Sequence, residues 1–181
     1  MINRSLVIIG ILFFCLSCAS SKQKATPEQI QVLTDLVENQ SMEFVADWAF
    51  PLATNSLNQL SNAGLLQPGS TAGRINLIGN VNYLKIKNDS ISAYLPYYGE
   101  RQFGGAYNND NTGIRFNSVP DNLTITKDEK SNGYSIAFDI TRDTESFQVF
   151  LRLFPNKKGA LNINSNQRHS IAYQGTIKSL E

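Results

Sequence analysis

Hydrophobic side chains change their spacing twice along this chain. Near the N-terminus they form a block from Leu6 to Leu16, within MINRSLVIIGILFFCLSCASSK. Between residues 27 and 40 they fall at helical intervals, and from Glu43 onward they alternate with polar residues. The three patterns predict an export leader, one helix and a β-rich domain.

The helix is framed by its own start signal. In TPEQ, Thr26 suits the N-cap, Pro27 the first helical position, and Gln29 the third position of a capping box. Ile30, Leu33 and Val37, with Leu36 on the flank, make an apolar stripe, while Gln31, Asp35 and Glu38 face outward. A helix over about 27–40 is predicted. In EFVADWAF the period becomes two, which puts Phe44, Ala46, Trp48 and Phe50 on one face of a strand and Glu43 and Asp47 on the other. Pro51 ends it.

LATNSLNQLSNAGLLQPGSTAG then reads as a loop-like region whose scattered leucines can form a short helical turn. Beyond Arg74 the chain is almost all strand: RINLIG, VNYLKIK, SISAYLP, GIRFNS, NLTITKD, YSIAFDIT, ESFQVFLRLF, GALNINS and SIAYQGTIKS. Asn88-Asp89, Ser131-Asn132-Gly133, Asn156 to Gly159 and Asn164 to Gln167 supply the turns. The fold class is all-β: an antiparallel meander forming a curved sheet, sandwich or open barrel, with one N-terminal α-helix.

The leader shapes the expected location. Its apolar core falls within the roughly 7–15 residues of a signal peptide and short of the about 20 needed to span a bilayer. The only cysteines, Cys15 and Cys18, sit at its end, too close to the export signal to staple a core. CLSC looks like a bacterial lipobox with Cys18 as the acylated residue, small Ser17 before it, and Cys15 where that pattern prefers Leu. The expected division is therefore 1–17 as lipoprotein signal peptide, 18–26 as lipid-anchored tether and 27–181 as a single domain. A diacylglycerol thioether with an N-acyl chain such as palmitate suffices for stable anchoring. The small residues after Cys18, and the lack of an acidic run there, favour the outer membrane facing the periplasm. Removing the leader takes Arg4 with it, so 15 basic residues balance 15 acidic ones. No basic stripe for nucleic acid results. The expected partners are the membrane, through the anchor, and an envelope protein or small ligand.

One stretch stands out, YLPYYGERQFGGAYNNDNTGIRF over 94–116. Pro96 ends the ladder of the preceding strand, and the glycines permit tight backbone turns. Tyr94, Tyr97, Tyr98, Phe103 and Tyr107 offer rings for stacking, and Glu100 and Arg101 a polar pair for recognition. These seven residues are the candidate ligand site; the alternative is that the rings cap the open end of the sheet.

Metal and catalytic patterns are weaker. NNDNTG, 108–113, resembles half of a calcium loop, but the twelfth position would be Val119, which has no ligating oxygen. His169 is the single histidine, so a multi-histidine zinc site is out of reach. Neither Ser131 nor Ser170 sits in a strand–elbow–helix context for a serine relay. Asp47, Asp89, Glu100 and Asp139 are available to a two-carboxylate hydrolase, but sequence spacing does not place two acids in one cleft. No cofactor, no metal and no enzymatic activity are expected. The reading is a non-enzymatic binding domain, with an accessory subunit of an envelope assembly as the alternative and a small hydrolase behind both.

Several pieces of wording resemble a known family. Asp89-Ser90, Tyr94-Leu95-Pro96-Tyr97-Tyr98-Gly99, Gly113-Ile114-Arg115-Phe116, and Arg168 through Tyr173-Gln174-Gly175 are its most specific parts here. From about Phe44 to Ile177 the chain is similar to an uncharacterised lipoprotein family of the Bacteroidetes cell envelope, domain of unknown function 4251. The resemblance implies an envelope location and a common fold, and no reaction.

Overall fold

The computed structural model describes residues 25–100, 102 and 113–180. It opens with α1 (Pro27–Glu38), whose N-terminus carries the predicted box. Gln29 N–H donates to the Thr26 hydroxyl (3.3 Å), and the Gln29 side-chain carbonyl accepts from Thr26 N–H (3.1 Å). Leu33 and Val37 are buried. The helix ends where Asn39 and Gln40 close the last turn, Gln40 with a positive φ.

The strands are β1 (Ser41–Pro51), β2 (Ile75–Asn76), β3 (Tyr83–Lys87), β4 (Ser90–Leu95), β5 (Ile114–Ser118), β6 (Asp121–Asp128), β7 (Gly133–Arg142), β8 (Glu145–Leu153), β9 (Lys158–Ser165) and β10 (Ile171–Ser179). Among the described residues they form one sheet in the order β5-β4-β3-β1-β10-β9-β8-β7-β6, with β2 beside β1. Of the curved sheet, sandwich and open barrel expected, the curved antiparallel sheet is the one formed, curled into a half-barrel.

Every pairing along that path is antiparallel. Eight reversals therefore leave the two end strands, β5 and β6, running the same way. Val119-Pro120 is then a kink between two strands that continue in one direction, not a hairpin. The curl brings β5 against β7 and β8: the Phe116 ring lies 6.5 Å from Phe138 and 5.7 Å from Phe147. Arg142 Nη1 also donates to the Arg115 carbonyl at 3.0 Å. Alternation along the strands fills the interior; in β8, Glu145, Phe147, Val149, Leu151 and Leu153 are buried and every intervening residue is exposed. α1 lies over the end where β7 begins, where the Thr34 and Tyr134 hydroxyls are 3.1 Å apart. Leu33 and Val37 join the strands in one apolar core.

Three sequence expectations need correction. First, Trp48 and Phe50 do not share a face with Phe44 and Ala46. The β1–β10 register slips between Ala46 and Trp48, so Asp47 is a bulge and the alternation inverts: Ala49 and Pro51 turn inward. The bulge is held by Asn82, whose side chain accepts from Ala46 N–H (2.7 Å) and donates to the Ala46 carbonyl (3.0 Å). Gly175 is required opposite it, since a Cβ there would collide with the Val45 carbonyl. Trp48, turned outward, lies under Arg74, 3.7 Å from ring centre to guanidinium. Second, RINLIG is a strand only at Ile75–Asn76, because Leu77 N–H already bonds the bulged Asp47 carbonyl. Third, the leucine-bearing loop contains an eight-residue helix, α2 (Asn55–Asn62), capped by Thr54 and anchored by buried Leu57.

Candidate functional site

The end of the half-barrel opposite α1 gathers the segment after β4, the β7–β8 turn, the β9–β10 link and the start of β5. Its centre is a buried ion pair. Arg168 Nε and Nη2 donate to the two Glu145 carboxylate oxygens at 2.6 and 3.0 Å, and Arg168 Nη1 donates to the Gly113 carbonyl at 3.1 Å. The Ser165 hydroxyl adds a 2.7 Å bond to Glu145. This fork-on-carboxylate geometry fixes three chain segments around one point.

The tyrosines are arranged on that frame. Tyr97 lies with its ring 5.2 Å from the Arg168 guanidinium, and its one hydroxyl proton is shared between the carbonyls of His169 (3.1 Å) and Glu100 (3.2 Å). Gly99 is needed for this fold-back, because a Cβ there would strike the Tyr97 hydroxyl. Tyr173 stands inside the barrel and donates to the Pro96 carbonyl at 2.7 Å. Burial pushes its hydroxyl well above the ordinary tyrosine value. Tyr97 and Tyr98 are raised as well, both through burial, with Arg168 opposing the shift at Tyr97.

Tyr97 and Tyr98 pack against the core and also border a groove. The groove has a volume of about 470 Å³, and Tyr94, Leu95, Pro96, Gly113 and Arg115 complete its wall on one side, Gly79, Asn80 and Val81 on the other. Tyr94 stands on the outer face of β4, stacked on Tyr83 with ring centres 6.1 Å apart. Of the candidate residues, the structure thus brings Tyr94, Tyr97 and Tyr98 together. The Glu100 side chain turns away toward the Ser56 hydroxyl, 3.5 Å distant. Arg101, Phe103, Tyr107, residues 108–112 and Cys18 lie outside the described residues.

The other chemistry-bearing residues are dispersed. Asp47 sits at the β1 bulge, Asp89 in the β3–β4 turn, and Asp139 on the outer face of β7, bonded to Asn122 (3.0 Å). Ser131 is at the α1 end, 2.7 Å from Asp128, whose carboxyl this bond holds below its usual range. His169, at the far end, faces Gln102 (Nδ1 to Nε2, 3.2 Å). Among the described residues no group of three His, Cys, Asp or Glu side chains is placed to hold a metal, and no helix is long and apolar enough to cross a membrane.

Glu145, Arg168, Tyr173, Arg115 and Asn80 belong to the site and are not among the seven candidates. A signal for Glu145 was present: strict alternation in ESFQVFLRLF puts its carboxylate on the same face as Phe147, Val149 and Leu151. A charged group in an apolar row needs a buried partner, and Arg168 is that partner.

The architecture is that of an all-β half-barrel domain with a helix across one end. The sequence profile described as "Domain of unknown function (DUF4251)" matches residues 24–177, and the chain belongs to that family. Its fold is similar to the crystal structure of a DUF4251 family protein from Bacteroides eggerthii. The TM-score is 0.52 at 13% sequence identity, over 84% of this chain and 88% of that chain. No curated protein matches the sequence.

Proposed function

We propose that this protein is a lipid-anchored component of the bacterial envelope whose half-barrel binds a small ligand without transforming it. The observation that carries the reading is the groove of Tyr94, Tyr97 and Tyr98. Its volume lies within the roughly 300–1,000 Å³ of small-molecule sites. Tyr97 is held by its shared hydroxyl proton and the guanidinium beside it, so one wall is rigid before any ligand arrives. The lipobox at Cys18 supports an anchor on the outer membrane, facing the periplasm.

Thermal unfolding of the purified protein against glycans, lipids, haem and calcium tests the binding reading. A ligand at about 100 times its Kd adds about 2.7 kcal/mol, which raises Tm by roughly 5–11 °C in a domain this size. Tyr94→Ala removes a groove wall from the outer face without opening the core, and should abolish that rise while leaving the unliganded Tm near the parent's. A shift that survives Tyr94→Ala and Tyr98→Ala alike would place the ligand elsewhere. Palmitate labelling of the parent, lost in Cys18→Ser, tests the anchor.

The second reading, an accessory subunit of an envelope assembly, is favoured by the outer face of the sheet. There Phe50 and Phe150 flank Ala137, Ala160 and Ala172 in a shallow trough of about 380 Å³, and Phe150 is 47% exposed. Loss of a native assembly on Phe150→Ser, with ligand shifts absent, would favour it.

A further inference from the structure

The groove carries a charge pattern that ligand binding alone does not require. Arg115, exposed on β5, lines it, and no described residue of its wall is acidic. The Arg115 guanidinium lies 4.5 Å from the centre of the Tyr94 ring, and its Nη2 donates to the Tyr94 hydroxyl at 3.3 Å. That contact holds the planar fork in place, and an arginine has five N–H donors. Among the described residues Arg115 has no carboxylate partner. Acids elsewhere on this side of the sheet have other partners: Glu100 faces Ser56, Glu43 faces Lys178 (3.5 Å) and Asp143 faces Arg142 (3.6 Å).

The positive character extends along the outer wall. Tyr94 stacks on Tyr83, and Lys85 Nζ lies 4.4 Å from the centre of the Tyr83 ring. Two cations therefore bracket two rings on adjacent strands, in the order Lys85, Tyr83, Tyr94, Arg115. The Asn80 amide and the Tyr98 hydroxyl give the groove polar contacts that a wholly apolar ligand would leave unmet. A sugar ring meets both requirements, with an apolar face for the tyrosines and hydroxyls for the polar rim.

Resting on the binding reading above, we propose that the groove selects an anionic saccharide: the Arg115 guanidinium takes the acid group and the tyrosine rings take the sugar. Carboxylate, sulfate and phosphate share the planar or tetrahedral oxygens that a guanidinium fork recognises.

Titration calorimetry on the purified protein with trigalacturonate, its fully methyl-esterified form and a sulfated glucosamine disaccharide tests this. The ester keeps the rings and removes the charge. The charged trimer should bind at least about tenfold tighter than the ester, since a hydrogen bond to a charged group is worth that much or more. Arg115→Gln should erase the preference, so that acid and ester bind alike, while Arg115→Lys keeps part of it. Added salt should weaken the acid and spare the ester. Binding of the sulfated sugar in place of the uronate would uphold the anion contact and identify the group. Equal binding of acid and ester, unaffected by Arg115→Gln, would overturn the anion assignment while the binding reading stands. No binding of any of the three would overturn the saccharide assignment, and the binding reading would then be decided by the thermal-unfolding panel.

Discussion

Replacing Glu145 with alanine is the sharpest probe of how this end of the half-barrel is held. The Glu145 side chain is 9% exposed and that of Arg168 2%, and they share two hydrogen bonds of 2.6 and 3.0 Å. Truncation leaves a guanidinium in the interior without its counter-charge, a change that costs about 3–5 kcal/mol. In a domain this size each kcal/mol moves Tm by about 2–4 °C, so Tm should fall by roughly 6–20 °C. Far-ultraviolet circular dichroism would follow the melt. Denaturant unfolding, read through the single tryptophan, Trp48, would give the free energy directly. The double variant Glu145→Leu, Arg168→Met should recover much of the loss, because an apolar pair of similar volume removes the stranded charge. Recovery should be incomplete, since the Gly113 carbonyl and Ser165 hydroxyl each lose a partner. The reasoning is refuted if Glu145→Ala costs less than about 1 kcal/mol, or if the double variant is no more stable than Glu145→Ala.

Two further expectations concern the same frame. Tyr97, Tyr98 and Tyr173 all have raised pKa values in the folded protein, so the unfolded chain releases its phenolic protons first, near pH 10. Their contribution to stability is full below that pH and is lost as pH rises above it. Melts from pH 8 to strongly alkaline buffer should be flat and then fall, and Tyr173→Phe should soften the fall; an identical alkaline limb in that variant would contradict the assignment. Asn82→Ala should cost about 2–6 kcal/mol, because it strands both the N–H and the carbonyl of Ala46 inside the β1 bulge at about 1–3 kcal/mol each. Urea unfolding measures this, and a loss under about 1 kcal/mol would mean that the bulge closes without Asn82.

Much of this molecule is written locally. Thr26, Pro27 and Gln29 determine where α1 starts, because the capping groups lie within one turn of each other. Alternation determines β3, β4 and β7 to β10, since one face of each strand meets the interior and the other meets water. The turns at Asn88, Asn132 and Lys157 follow from residues placed in the left-handed region, two of them asparagines, which tolerate it. Tyr94, Tyr97 and Tyr98 are legible as a group because they crowd around one proline and one glycine.

Long-range contacts decided the rest. The face of Trp48 depends on a bulge held by Asn82, which is 36 residues from Ala46. Glu145 finds Arg168 across 23 residues, and Arg168 reaches Gly113 across 55. Closure of the sheet sets Phe116 against Phe138, and the groove gathers Arg115 and Asn80 into one lining. The sequence by itself determined α1 and most of the strands, because those preferences act between neighbours. Only the tertiary structure decided which charged side chain is buried and which faces the groove, because that depends on strands brought together by the curl of the sheet.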